Sequence, residues 1–292
     1  MKILLLGSNG QVGWEINRQA RAAGLDIIAL NRRELDITKY NDVKQKVGEI
    51  KPNILINATA YTAVDQAEKE PELAFAVNRD AVRNLAQVCD LNDMAMIHFS
   101  TDYIFDGKKT EPYVETDPAN PLNVYGESKW QGEEALRRYL EKYIILRISW
   151  VFGQHGNNFV KTIIKLASEK KELRVIADQY GCPTPAEDVA ANVLRLVRGS
   201  GNQAAKSRLG VFHYCGMPAT TWYDFAKKIV DFRKEHFSIV CESIIPIKTE
   251  EYKTLAQRPK YSVLNCSKVV ESTYFFASRW ENKIKSMIRF TQ

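Results

Sequence analysis

Tyr125 and Lys129 stand four residues apart in Tyr125-Gly126-Glu127-Ser128-Lys129, and Trp130-Gln131-Gly132-Glu133-Glu134-Ala135-Leu136 continues the stretch in a helical pattern. Positions i and i+4 of a helix share a face, so phenol and ammonium point the same way. A phenol titrates near about pH 10, and a neighbouring cation favours its phenolate. Such a pair can exchange a proton with a substrate oxygen at neutral pH. The bare spacing also fits a half-buried aromatic beside a solvated lysine, and taken alone that reading is the favoured one. The chemistry needs a cofactor beside the pair.

The start of the chain offers a place for one. Lys2 to Leu6 is a short apolar run of the kind found in buried parallel strands. Gly7-Ser8-Asn9-Gly10-Gln11-Val12-Gly13 follows at once, and Trp14 to Ala23 has helical periodicity. A G-x-x-G-x-x-G turn from strand to helix lets backbone approach a pyrophosphate at the helix N-terminus. A second strand, Asp26 to Leu30, ends in Asn31-Arg32-Arg33. An acidic residue there would hold a ribose 2′-hydroxyl. Arginine instead matches a 2′-phosphate by charge and fork geometry, which favours NADP over NAD. Surface arginines after a strand are the alternative. Asp36 and Ile37 follow closely enough to approach the adenine or its ribose.

The alternation continues. Asn41 to Ile50 reads as a helix, Ile54 to Ala58 as a third strand and Pro71 to Leu91 as one long helix. Ala58, Thr59 and Ala60 are small enough for close approach of a ligand or for tight packing. Ala95 to Phe99 is a fourth strand, with His98 expected to be a satisfied core histidine. The strand ends in Ser100-Thr101-Asp102-Tyr103, polar groups at the strand end where open α/β sheets bind ligands. A polar loop from Phe105 to Pro121 leads to the Tyr125 helix, and Tyr143 to Ile148 is a fifth strand. The expected fold is α/β, a Rossmann-type doubly wound parallel sheet over residues 1–150.

Beyond residue 150 the pattern changes. A smaller α+β substrate-binding domain is expected over 151–292, with part of 186–200 packing back on the first domain. Helices are expected from Phe159 to about Ser168, from Pro185 to Arg198, after Thr220 or Thr221 to Phe232, and from Ser278 to Phe290. Strands are expected at Leu173 to Ala177, Val211 to Cys215 and Ile239 to Ile247. Gly199 to Gly210 reads as a polar surface segment of small residues.

The 292 residues suffice for this arrangement, and 45% hydrophobic with 26% charged content is ordinary for a globular protein. No stretch approaches the roughly 18 uncharged apolar residues of a membrane span, and Gly7 cuts the N-terminal apolar run too short for a signal peptide. The expected compartment is the cytoplasm. Five scattered cysteines lack C-x-x-C spacing, and the four histidines lack metal-ligand spacing. The net charge of +6 is mild, and no basic run points to nucleic acid.

A glycine turn after the first strand, a hydroxyl residue ending the fourth and Y-x-x-x-K on the next helix together resemble the extended short-chain dehydrogenase/reductase superfamily. A finer likeness runs through Ala60-Tyr61-Thr62-Ala63-Val64-Asp65, Ser100 to Phe105, Leu122 to Gly126, Ser149-Trp150-Val151 and Gly156-Asn157-Asn158-Phe159. It continues through Asp178 to Thr184, Thr220-Thr221-Trp222-Tyr223 and Arg258-Pro259. Together these segments resemble the dTDP-4-dehydrorhamnose reductase family over nearly the whole chain.

The resemblance implies reduction of dTDP-4-dehydro-β-L-rhamnose at C4, the last step of dTDP-L-rhamnose synthesis, by NADPH or NADH. It implies that Gln11, Val12, Asp36, Ile37, Ala60 and Tyr61 join Gly7, Gly10 and Gly13 in holding the cofactor. Thr101 would take the place of the superfamily's usual serine and orient the carbonyl. Tyr125 would donate the proton, and Lys129 would lower its pKa and bind the nicotinamide ribose. Asp102, Trp150, Asn158 and the Gln179–Thr184 region would face the sugar, and Arg258 the diphosphate. Trp150 and Arg258 also fit a core tryptophan and a surface arginine. Some relatives bridge a dimer with magnesium through glutamates. Glu15 and Glu187 match two such positions, but Arg289-Phe290-Thr291-Gln292 lacks the third carboxylate, so a metal-bridged dimer is not expected. A monomer or plain homodimer is. The competing readings are a nucleotide-sugar epimerase or dehydratase of the same superfamily, and a non-enzymatic regulatory relative. Intact Thr101, Tyr125 and Lys129 weigh against the second.

Overall fold

The structure is a computed structural model that describes residues 1–199, 209–273, 275 and 278–290. Its first half alternates as the periodicity requires: β1 (Ile3–Leu6), α1 (Gln11–Ala22), β2 (Ile27–Leu30), α2 (Tyr40–Ile50) and β3 (Ile54–Asn57). Then come the short helices α3 (Val64–Ala67) and α4 (Pro71–Phe75), followed by α5 (Ala81–Leu91), β4 (Ala95–Thr101), α6 (Val124–Tyr139) and β5 (Tyr143–Ile148). Alternate strand residues feed opposite faces. Ile3, Leu5, Ile56, Ile97 and Leu146 pack on one side of the sheet, and Leu4, Leu6, Leu55, Met96 and Ile145 on the other.

The helix expected from Pro71 to Leu91 is one run interrupted by a π-helical turn at Ala76–Asp80. The wider turn carries Asn78, which is buried. Its Oδ1 accepts from the Tyr61 N–H at 2.9 Å, and its Nδ2 donates to the Tyr61 carbonyl at 3.1 Å and to Ser128 Oγ at 3.0 Å. That side chain ties the loop after β3 to the helix of Tyr125, which a regular helix would not aim it to do.

The second half adds β6 (Val151–Phe152), α7 (Phe159–Glu169), β7 (Glu172–Ile176), β8 (Tyr180–Gly181), β9 (Thr184–Pro185), α8 (Ala186–Gly199) and β10 (Gly210–Tyr214). It closes with β11 (Thr220–Thr221), α9 (Trp222–Lys234), β12 (Ser243–Ile247), α10 (Ser267–Thr273) and α11 (Trp280–Phe290). Residues 200–208 of the expected polar segment lie outside the described residues. The expected strand at Ile239–Ile247 begins only at Ser243, pairing in parallel with β7.

The main sheet is six-stranded and parallel, in the order β2-β1-β3-β4-β5-β10. The sequence places five strands in it; the sixth is β10, which returns from the C-terminal half to pair with β5, Phe212 opposite Leu146. Helix α8 leads back to it and packs beside α1, with Ile16 and Ala20 in one core with Val189, Ala190 and Val193. A separate core of Phe152, Ile163, Phe225, Ile229, Trp280 and Ile284 joins α7, α9 and α11. Chain order reverses between β1 and β3, so the loops after these two strands flank the crevice where such sheets bind ligands.

Candidate active site

The turn after β1 is packed against the loop after β3. Gly7 has φ +83°, and a Cβ there would sit 2.7 Å from the Ala58 carbonyl carbon. A Cβ on Gly13 would collide with the Gly7 carbonyl oxygen. Gly10 caps α1 without a side chain, and no acidic residue occupies the first helical turn. The first N–H groups of α1 are therefore offered to an anion.

Helix α6 is seated as tightly. Asn123 caps it, its Oδ1 accepting from Gly126 N–H at 2.8 Å. A Cβ on Gly126 would strike the Tyr103 carbonyl oxygen. The start of the helix, and with it Tyr125, is thereby pressed against the turn that ends β4.

These pieces line a cleft of about 530 Å³, within the range of small-molecule sites. Thr101, Asp102, Tyr125, Lys129 and Trp150 meet there with Gly10, Gln11, Val12 and Ala60. The Thr101 hydroxyl and the Tyr125 phenol share this lining, and the hydroxyl donates to Asp102 Oδ1 at 3.2 Å. Burial pushes the phenol up to about 12; Thr101 opposes the rise and the Asp102 charge adds to it. Burial raises the Asp102 carboxyl to about 7, against hydrogen bonds from Ser262 and Thr101. Lys129 is lowered to about 8 by burial, with Glu133 pulling the other way. Its amine is directed at β4: Nζ donates to the Phe99 carbonyl at 2.6 Å and lies 3.4 Å from His98 Nε2.

An adjoining cleft of about 230 Å³ shares Gly10 and Ala58 to Ala60 with the first, and adds Gly7, Asn31, Arg32, Asp36, Ile37 and Tyr61. Asn31 Oδ1 accepts from the Arg33 N–H at 2.8 Å, which turns the chain and leaves Arg32 exposed. Arg32, Arg33, Lys39 and Lys46 line a hollow beside it, together with Glu34, Asp36 and Asp42. Burial raises the Asp36 carboxyl, but hydrogen bonds from Thr38 and the Arg32 charge outweigh it and hold the group below the usual range.

Part of the cleft lining is aromatic. Trp150 and Trp222 stack with centroids 3.5 Å apart and planes 8° from parallel. Trp150 holds φ +44°, unusual for a bulky side chain and a mark of a constrained site.

Three expected residues sit otherwise. Asn158 caps α7, its Oδ1 accepting from Lys161 N–H at 3.1 Å, and Nδ2 donates to Gln11 Oε1 at 3.0 Å. It fastens α7 to the glycine turn rather than lining the cleft. Gln179 is buried and donates to Thr249 Oγ1 at 3.2 Å, also off the lining. Arg258 is paired with Asp65 at 2.6 Å and donates to the Ala256 carbonyl at 3.1 Å, and it is off the lining of either cleft. The residues that sequence reasoning gave no part in the site are Asn78, Trp222 and His98 in its contact with Lys129. Helical Pro71–Leu91 hid Asn78, and the motif around Trp222 carried no chemistry of its own.

The whole chain, residues 1–292, matches the family model described as RmlD substrate binding domain. The chain belongs to this family. A dTDP-4-dehydrorhamnose reductase of Escherichia coli K12 is 39% identical over 99% of this chain and 97% of its own. A solved dTDP-4-dehydrorhamnose reductase of Clostridium acetobutylicum is 38% identical, with TM-score 0.91 and 99% of both chains covered. One of Bacillus anthracis, solved in complex with NADP, is 36% identical at TM-score 0.90 over 100% of both chains. The architecture expected from sequence, a parallel α/β Rossmann-type sheet, is the one these relatives share.

At the positions matched to magnesium ligands, Glu15 pairs with Arg18 at 2.8 Å and Glu187 with Lys283 at 3.1 Å. Lys283 also reaches Asp188 at 3.2 Å. Among the described residues no helix is long and apolar enough to cross a membrane.

Proposed function

We propose that the chain reduces the C4 keto group of dTDP-4-dehydro-β-L-rhamnose to give dTDP-L-rhamnose, with NADPH as hydride donor and NADH as the weaker alternative. The observation that carries this reading is that Thr101, Tyr125 and Lys129 line one cleft with the glycine turn. The names of the full-length relatives and the NADP held by the Bacillus anthracis protein support it. The residues present fit a phosphorylated dinucleotide: an uncapped helix N-terminus for the pyrophosphate, and Arg32 beside Lys39 for a 2′-phosphate.

When bound, the nicotinamide supplies the hydride. Thr101 and Tyr125 converge on the oxygen where negative charge develops, and Tyr125 gives it the proton. The raised phenol keeps that proton in place until the oxygen becomes basic enough to take it. Trp150 and Trp222 offer flat apolar faces to a deoxysugar. Asp102 answers its hydroxyls. Arg258, held by Asp65, is the arginine this reading gives to the diphosphate. In this reading residues 1–150 hold the dinucleotide, 151–292 mainly the sugar, and the enzyme works in the cytoplasm.

The test is NADPH oxidation with enzymatically generated dTDP-4-dehydrorhamnose. Wild type turns over, and Tyr125→Phe loses at least ~100-fold in kcat, the scale of one general acid. Purified, folded wild type that oxidises neither NADPH nor NADH with this sugar would sink the proposal.

A further inference from the structure

Three thiols from distant parts of the chain gather in one small core beside Trp150. Cys182 lies between β8 and β9, Cys215 follows β10 and Cys266 precedes α10, and Val263 and Leu264 pack with them. Cys215 Sγ and Cys266 Sγ are 3.5 Å apart, in contact and unbonded. The Cys215 backbone N–H donates to Cys266 Sγ at 3.3 Å, and Cys215 Sγ lies 3.6 Å from the Leu264 carbonyl. Hydrogen bonds given to a sulfur favour its thiolate, which is the reactive form. Here they fall on one sulfur of the pair. The Cys215 thiol and N–H hold Cys266 below its ordinary range, although burial and Glu115 oppose them. The Cys182 and Cys266 thiols, with burial, push Cys215 well above its own. Cys266 is also the one partly exposed cysteine, the other four being buried.

We propose that Cys266 and Cys215 form a peroxide-sensitive dithiol, whose closure to a disulfide displaces Trp150. The Cys266 thiolate attacks a hydroperoxide: an S–O bond forms, the O–O bond breaks, and the leaving alkoxide or hydroxide takes a proton from solvent. The sulfur gives up two electrons and the peroxide is reduced. Cys215 then attacks the sulfenic sulfur. The S–S bond forms, the S–O bond breaks, and hydroxide departs as water with the Cys215 thiol proton. Reversible pairs of this kind are compatible with a reducing compartment.

The coupling to Trp150 is steric. A disulfide spans about 2.05 Å, so the two segments must draw together. Gly216 has no room to shift alone. A Cβ there would sit 2.2 Å from the Pro183 carbonyl oxygen, and its N–H donates to Thr184 Oγ1 at 3.3 Å. The Gly181–Thr184 segment in turn abuts Trp150. A Cβ on Gly181 would meet the indole at 2.3 Å, and the Thr184 N–H donates to the Trp150 carbonyl at 3.1 Å. Movement at Cys215 therefore reaches Trp150 through two close backbone contacts.

The test treats the reduced full chain with hydrogen peroxide, alkylates the remaining thiols after denaturation and digests it. Mass spectrometry should find the Cys215 and Cys266 peptides joined with loss of both thiol hydrogens, and Cys89 and Cys241 alkylated. Dithiothreitol should undo the link, and Cys266→Ser should abolish it while leaving the kinetics of the reduced protein unchanged. Cys266 oxidised without a link, or Cys215 joined to Cys182, overturns the proposal. Tryptophan emission follows the displacement without substrate: it should change on oxidation in wild type and hold steady in Trp150→Phe. A change that survives Trp150→Phe, or no change in linked wild type, overturns the coupling. The consequence for catalysis rests on the reading of Trp150 as part of the sugar's wall. Linked protein should show a KM for the sugar about tenfold higher, with NADPH affinity unmoved. Reduced protein that links and shifts its emission but turns over no sugar upholds the dithiol and counts against the reductase reading instead.

Discussion

The two walls of the cleft are built by different means. The wall proposed for the cofactor is mostly backbone: the Gly7–Gly13 turn, the N-terminus of α1 and the small residues Ala58 to Ala60, contributed by the β1 and β3 loops. The wall proposed for the sugar is mostly side chains gathered from far along the chain: Asp102 after β4, Tyr125 on α6, Trp150 after β5 and Trp222 on α9. A dinucleotide's phosphates can be met by N–H groups that every residue carries, so glycine's small size is the only demand. A particular sugar must be met by particular rings, hydroxyls and carboxylates, so that wall depends on side-chain identity.

The contrast predicts how each wall fails. Gly13→Val should have the largest effect, because its Cβ meets backbone that cannot move. Loss of about 4 kcal/mol or more is expected, read as no measurable NADPH binding in a fluorescence titration and a lowered melting temperature. Trp150→Ala should leave NADPH affinity alone and raise the KM for the sugar about tenfold, the scale of an aromatic stack with its buried face. An equal loss of both affinities would erase the distinction between the walls.

Asp102→Asn tests the electrostatics of the sugar wall. The folded-state pKa of Asp102 stands above its ordinary value, so the folded protein resists ionising it. That destabilisation is absent at low pH, grows as pH rises from about 4 to about 7, and is constant above. The variant's melting temperature should therefore gain on wild type across that window and then hold a fixed lead. A lead independent of pH would assign the effect to packing. Arg32→Ala should have the mildest effect: the ratio of kcat/KM for NADPH over NADH falls about tenfold, as for one charge-assisted hydrogen bond. Equal losses with both cofactors would remove the 2′-phosphate from the reading.

The same contrast governs how much could be read from residue order. The glycine turn and the Asn31–Ile37 stretch are each local in sequence, and the fold brings Gly7, Gly10, Arg32 and Asp36 to one cleft as expected of them. Trp222 was not legible in this way, because its value lies in stacking on Trp150, 72 positions earlier by residue number. Arg258 was expected to face a phosphate; only the fold reveals its ion pair with Asp65, 193 positions earlier by residue number. His98 was read as a satisfied core histidine. It is buried and bonded as expected, yet one of its partners is Lys129.

Tyr125 and Lys129 lie four apart on one helix, and the sequence by itself determined that, because helical spacing is local. It also determined a strand, a glycine turn and a helix at the N-terminus, since each follows from short-range apolar pattern and steric freedom. The tertiary structure decided what surrounds the pair. Packing of α6 against β4 buries the amine beside His98 and the Phe99 carbonyl, and places the phenol against Thr101. Protonation depends on solvent exclusion and on partners distant in sequence, and neither is set until the sheet has closed over them.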